Sequence, residues 1–392
     1  MLTKEVSQKF FNNALISTHA KRANCLFETS WALLNEAKLT ISSLGQHKSG
    51  NAYVKHKIKS VDRLLGNEKL HQEIPSIYKE FFATVIACTQ VLFILVDWSG
   101  CCGNKNYMLR ASLTHDGRSI TIYNEIHPKE KAGNRKVQEN FLINLKKIVS
   151  TNKKVVIITD SGFVTPWFKQ VLKLGWDYIG RLPRYIMLKF DGRTEWMKIG
   201  AISHKRKNHV KSLGGATVAK CSLNPIKCTI YSYQETSKKR KEKSKFPDQN
   251  KLYKKIFKTP WVLATSLTPE KYSGIFIKNR YKNRMQIEQN FRDEKSPRFG
   301  LGWRFGRTEC PKRIAVLCLI AHIAIFFLLS IGAMTEKLGL HKRFQVNTEK
   351  KRVLSLITLA KQTLKNPMPP NLKKHKNYLD VFLKSLQKLC LC

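Results

Sequence analysis

The order of apolar and polar positions divides the chain into stretches of different period. Residues 29–44 carry apolar side chains at Trp31, Leu33, Leu34, Ala37, Leu39, Ile41 and Leu44, and Gly45 then offers a helix stop. Residues 53–65 set Val54, Ile58, Val61, Leu64 and Leu65 against Lys55, Lys57, Lys59 and Arg63, which predicts a helix with one apolar and one basic face, ended by Gly66. The period then changes. Residues 91–96 and 154–159 are apolar runs, each followed by an aspartate, Asp97 and Asp160. Such runs read as strands buried on both faces of a sheet. Residues 106–114 and 118–126 flank Asp116-Gly117, a tight-hairpin signal. Residues 136–149 return to helical spacing, and Thr165-Pro166 opens a further helix that Gly175 ends.

From 182 to about 259 only short strand-like pieces occur, at 185–190, 195–202, 216–221 and 228–234, and a basic run begins at Lys238. We read this region as a β-rich insertion with an exposed basic loop. A strand resumes at 261–267, and from about Phe276 the chain is mostly helical, with Pro367, Pro369 and Pro370 as interruptions. Residues 314–334 are almost wholly apolar, long enough to cross a membrane. His322 lies in the middle and the segment stands alone in a basic chain, so a helix buried inside a domain is the expectation.

Composition sharpens the picture of partners. Hydrophobic residues make up 42% and aromatics 10%, which suits a folded chain. Lys and Arg number 71 against 27 acids, a net charge of +44, and a compositional bias toward lysine alone does not explain so lopsided a balance. Nucleic acid, bound through its phosphates, is the partner such a charge implies. None of the ten cysteines forms a CxxC pair, which argues against structural zinc. Free thiols and a start without an apolar signal core fit a reducing cytoplasm.

The candidate chemistry begins with Asp97 and Asp160. Carboxylates at the C-terminal ends of neighbouring strands point into the crevice where α/β sheets bind ligands. Together they make a hard-cation site suited to Mg²⁺. Taken singly, each is also what a strand-end cap looks like. A third group comes from residues 281–295, read as one helix. At about 100° per residue, Tyr281, Arg284, Glu288 and Lys295 fall within about 60° of one another, in a stripe about 21 Å long. The stripe borders the apolar Ile287 and Phe291 rather than opposing them, which favours a cleft-facing stripe over a solvated helix surface. Glu288 can then join the aspartates, and Tyr281, Arg284 and Lys295 can hold a phosphate beside them.

These residues carry a resemblance. The spacing Tyr281, Arg284, Glu288, Lys295 is similar to the signature of insertion-sequence family four, bacterial transposases with an Asp-Asp-Glu triad. Leu95-Val96-Asp97-Trp98-Ser99, Asp160-Ser161-Gly162-Phe163, residues 260–265, and 292–297 followed by Gly300-Leu301-Gly302 resemble the tetracycline-transposon branch. The resemblance covers roughly 25–365 and implies an α/β fold: a ribonuclease-H-like mixed sheet flanked by helices, interrupted by a β-strand insertion, with helical N- and C-terminal regions. Residues 1–80, with their basic helix face, read as a DNA-binding domain, a merely solvated face being the alternative; the resemblance adds a catalytic core at 81–181 and 260–335, the insertion at 182–259, and a helical C-terminal region at 336–392 as a place for dimerisation. Asp97, Asp160 and Glu288 are the implied catalytic and metal-binding residues, with Mg²⁺ as cofactor and Mn²⁺ as a substitute. Tyr281, Arg284 and Lys295 match positions that grip DNA, Trp261 a position that stacks on a flipped base, and Arg181 a DNA-contacting arginine. The implied substrate is double-stranded DNA, as transposon terminal inverted repeats and target. The implied reaction is cleavage, hairpin formation and opening, and strand transfer by a homodimer, in the bacterial cytoplasm without a membrane. The chain's end, 384–392, departs from that branch. Two alternatives stay open: a ribonuclease-H-like nuclease without strand transfer, and a catalytically inactive or domesticated DNA-binding relative. Core packing is the alternative for Trp261.

Overall fold

A computed structural model describes residues 2–115, 117–203, 206–219, 225–236, 259–366 and 384. The basic run from Lys238 and the prolines at 367, 369 and 370 lie outside the described residues.

Five helices come first: α1 (Leu2–Ala14), α2 (Ala20–Leu34), α3 (Ile41–His47), α4 (Val54–Leu65) and α5 (Glu68–Cys88). The expected single helix over 29–44 is two, parted where Glu36 takes a left-handed φ of 73°. Thr40 then caps α3 by accepting from the Ser43 amide. Gly45 is not a stop but a buried contact inside α3, where any Cβ would collide with the Ile58 backbone of α4. The amphipathic helix before Gly66 is as expected. Asn67 caps α5, which runs unbroken past Pro75.

The strands form one ten-stranded sheet, ordered β3-β2-β1-β4-β5-β10-β9-β8-β6-β7. At its centre β1 (Val91–Gly100), β4 (Lys154–Thr159) and β5 (Asp177–Arg181) run parallel. The hairpin β2 (Asn106–Thr114) and β3 (Ser119–Pro128) extends it antiparallel on one side. Helices α6 (Arg135–Ile148) and α7 (Thr165–Lys173) make the crossovers. On the other side stand β10 (Trp261–Thr265), β9 (Ile226–Tyr233), β8 (Val210–Ala219), β6 (Met187–Phe190) and the two-residue β7 (Met197–Lys198). The insertion therefore prolongs the central sheet, because β10 pairs with β5 on one edge and β9 on the other. Its expected piece at 195–202 is mostly a 3₁₀ turn, Ile199–Ala201, rather than strand.

The segment expected as one helix over 281–295 is two, α8 (Gly274–Lys282) and α9 (Met285–Lys295). Between them the amides of Arg284, Gln286 and Ile287 each bond to the carbonyl three residues back. Tighter 3₁₀ turns of this kind rotate the second helix about its axis relative to the first. The apolar segment is α10 (Pro311–Lys337). By length and composition it could cross a membrane, but 94% of its most apolar window is buried. Phe326 and Phe327 pack among Phe10, Phe27 and Phe81 of the N-terminal helices, with Phe81 and Phe326 centroids 5.0 Å apart. Helix α11 (Leu356–Lys365) crosses α10 where Gly332 leaves no room for a Cβ beside the Leu356 carbonyl.

Candidate active site

Asp97 and Asp160 leave the sheet side by side. The last parallel pair of β1 and β4 is Val96 with Thr159, so each aspartate is the next residue on its strand. β1 does not end at Asp97, as the apolar run suggests; it continues to Gly100 through its pairing with β2. Asp97 thus sits where one ladder stops and the other goes on. Its Oδ1 accepts the Trp98 amide at 2.8 Å, and Asp160 Oδ1 accepts the Gly162 amide at the same distance. Burial, and next the neighbouring Asp160 charge, raise the Asp97 carboxyl to about 7. Arg284 opposes that rise.

Glu288 approaches from α9. Its Oε1 accepts from Arg284 at 2.6 Å, and the same guanidinium lies 3.3 Å from Asp97 Oδ2. Burial alone would lower the Arg284 pKa, but Tyr281, Asp97 and Glu288 together raise it. Among the described residues no three His, Cys, Asp or Glu side chains converge tightly enough to hold a metal. Asp97 and Glu288 are joined instead through a cation, the guanidinium. The donor set nevertheless fits a divalent ion: carboxylate oxygens only, one of them raised by burial and next by a like charge, both of which a bound cation would offset.

The remaining expected residues divide into two groups. Tyr281, on α8, is buried, and its ring stands edge-on to Trp261 with centroids 5.3 Å apart. Trp261 opens β10 and also meets Tyr233 at 5.5 Å. Arg181 ends β5, paired with Leu263, close enough to act on Tyr281 electrostatically. These three form an aromatic and basic wall on the β5 side. Lys295 is elsewhere: its ammonium donates to Ser99 Oγ at 2.7 Å and the Gly100 carbonyl at 2.5 Å. It ties the end of α9 to the end of β1. The single stripe of four is therefore split by the turn at Arg284.

A buried network beneath the site is hard to foresee from sequence. Arg110, directly opposite Asp97 in the β1–β2 register, points its guanidinium at Glu294 of α9 with two 2.8 Å bonds. Both side chains are fully buried. Arg110 also donates to Asn290 Oδ1 at 2.5 Å, and Asn290 donates to the Ser119 carbonyl of β3. Burial would raise Glu294, but Arg110 and His322 outweigh it and hold the carboxyl well below its usual range. The Tyr78 hydroxyl bonds to Asn124 and lies 2.7 Å from His322 Nδ1, extending the network to α5 and α10. Its one sequence signal is an arginine in an otherwise apolar strand, Tyr107-Met108-Leu109-Arg110-Ala111.

The two aspartates on adjacent parallel strands, with a glutamate brought over them by a helix, are the arrangement on which a family comparison bears. A comparison with curated proteins gives no match. The model of the transposase DDE domain family matches residues 95–327, from β1 into α10. That is more than half of the 392 residues and takes in both aspartates, Glu288 and the insertion between them, so the chain belongs to the transposase DDE domain family.

Proposed function

We propose that this transposase is of the insertion-sequence family four type, from the tetracycline-transposon branch, and moves its element by cut and paste. Asp97, Asp160 and Glu288 are the carboxylates of the reaction and the ligands of Mg²⁺, for which Mn²⁺ substitutes. The observation that carries this reading is the placement of Asp97 beside Asp160 at the ends of paired parallel strands, where burial and then the Asp160 charge raise Asp97 to about 7, in a site that Glu288 enters from α9. Two like charges so placed favour a cation between them. When bound, divalent ions stabilise the attacking and leaving oxygens of phosphoryl transfer.

The protein's own groups supply the rest. Arg284, already charged and mostly buried, offers a fork that matches a phosphate once it leaves a carboxylate. Lys295 holds the Ser99-Gly100 end of β1 and presents a cation beside the DNA path. Trp261 offers an aromatic face for a flipped base, with Tyr281 and Arg181 behind it. We assign DNA binding to residues 1–80, catalysis to 81–181 and 260–335, an accessory role to the insertion 182–259, and dimer contacts to 336–392. Two copies would bring two ends of double-stranded DNA together in the bacterial cytoplasm.

The test uses full-length protein, Mg²⁺ and DNA bearing the element's own terminal inverted repeats. Nicked, hairpin and joined products are expected in turn. Asp97→Asn, Asp160→Asn and Glu288→Gln should each abolish cleavage while end binding persists. Undiminished cleavage by any one removes that residue from the triad. Nicked ends without joined product would instead favour a nuclease, and binding without any cut an inactive relative.

A further inference from the structure

The outer part of the insertion presents a sheet face whose chemistry the catalytic reading does not use. Alternation and pairing identify the face. Lys189 of β6 pairs with Thr217 of β8, and Thr217 pairs with Lys227 of β9, so the three stand in one cross-strand row. The Lys189 ammonium lies 5.7 Å from the centroid of the Trp196 ring, which places Trp196 in the same row beyond β6. Lys198 of β7, paired with Met187, shares the face, and Tyr185 precedes it at the mouth of β6. The opposite face of β6 is the buried one, carrying Leu188. Tyr185 is 57% exposed and Trp196 39% exposed, unusual for aromatics without a partner to cover them.

The face is also on the same side of the sheet as the carboxylates. Phe93 alternates with Asp97 on β1 and packs against Phe276 of α8. A Cβ at Gly274 of α8 would touch the Tyr231 ring, and Tyr231 alternates with Lys227 on β9. One side of the sheet therefore leads from Asp97, under α8, to the lysine row. At about 4.8 Å per strand spacing, β6 and β7 stand five and six spacings from β4, about 25–30 Å, and β9 three.

We propose that this outer face binds single-stranded DNA, with bases stacked on Trp196 and Tyr185 and phosphates on Lys189, Lys198 and Lys227. The charge argues for a polyanion: Lys189, Lys198 and Lys227 share the face and Arg193 adds to the neighbouring turn, with Asp191 and Glu195 the acids beside them among the described residues of that turn. The exposed rings argue for unpaired bases, since duplex bases present no stacking face to a flat sheet. Membership of the transposase DDE domain family implies a DNA substrate. The inference rests on that membership and not on which carboxylates cut.

The test measures anisotropy of a labelled oligothymidine and of an equal-length duplex with the full-length protein in EDTA. The Tyr185→Ala/Trp196→Ala pair is expected to weaken oligothymidine about tenfold or more and the duplex far less. Trp196→Phe should restore most of the loss. Lys189→Gln/Lys198→Gln/Lys227→Gln should weaken oligothymidine and flatten its salt dependence. All these side chains are exposed or half-exposed, so unchanged melting curves are expected to accompany the losses. Unchanged oligothymidine affinity in either variant overturns the proposal. Equal losses for single strand and duplex in the aromatic pair overturn it as well, because stacking on unpaired bases would then not be what the face does.

Discussion

Asp97 and Glu288 meet through one guanidinium, that of Arg284, at 3.3 Å and 2.6 Å. A divalent ion binding between the carboxylates competes with that guanidinium for the same oxygens. Arg284→Gln is therefore expected to tighten Mn²⁺ binding to the DNA-free protein about tenfold, measured by the loss of the free-ion paramagnetic signal. Equal or weaker binding by the variant would show that Arg284 does not hold the cation's place. No Mn²⁺ bound by either protein would remove the metal assignment itself.

The raised carboxyl of Asp97 has a thermodynamic sign. Between about 3.8 and 7 the folded protein holds a proton that the unfolded chain has released. Stability contributed by this group is thus lost as pH rises through that window, by about 4 kcal/mol when metal is absent. Asp97→Asn should melt several degrees higher than the parent at pH 8 in EDTA, and show little gain at pH 4. A variant that melts no higher at pH 8 would show that burial and the Asp160 charge do not raise the Asp97 carboxyl.

Arg110 and Glu294 act as a pair. Removing one leaves the other charged and buried, which costs about 3–5 kcal/mol, whereas replacing both with apolar side chains costs far less. Arg110→Met alone should lower the urea midpoint sharply, and Arg110→Met/Glu294→Leu should recover most of it. Additive losses in the double variant would show that the two bonds are not coupled.

His322 is buried and its pKa is lowered to about 4, first by burial and then by Arg110, with Glu294 opposing. Between 6.5 and 4 the unfolded chain gains a proton that the fold refuses. Stability from this group is complete above about 6.5 and is lost as pH falls toward 4, on the order of 3 kcal/mol. Urea midpoints recorded from pH 7 to 4 should decline, and His322→Gln should flatten that decline. An unaltered slope in the variant would assign the acid sensitivity to other groups.

Much of this molecule is legible because its signals are local. The runs before Asp97 and Asp160 are apolar at nearly every position, as only strands covered on both faces require, and the structure puts both at the centre of the sheet. Asp116-Gly117 announces a hairpin, and Asn106–Thr114 is the strand leading to it. What stays hidden depends on tertiary contact. Helical spacing continues unbroken through Asn283 and Arg284, so the change to 3₁₀ bonding leaves no mark in the pattern. Gly45 looks like a stop because a glycine needed for close helix approach and one needed for a cap are the same residue. The Arg110–Glu294 pair joins positions 184 residues apart, beyond the reach of any periodicity. Nor does period show that the insertion's strands join the sheet of the core, since alternation fixes a strand's faces and not its neighbours.

That shared sheet makes the insertion a ruler. Because β5, β10 and β9 are hydrogen-bonded in succession, the outer hairpin stands at a whole number of strand spacings from the paired aspartates. Its reach can change only in steps, about 10 Å for each hairpin gained or lost. Sequence drift in the loops leaves that reach untouched, while the deletion of β6 and β7 would shorten it by two strands and spare the geometry of β1 and β4.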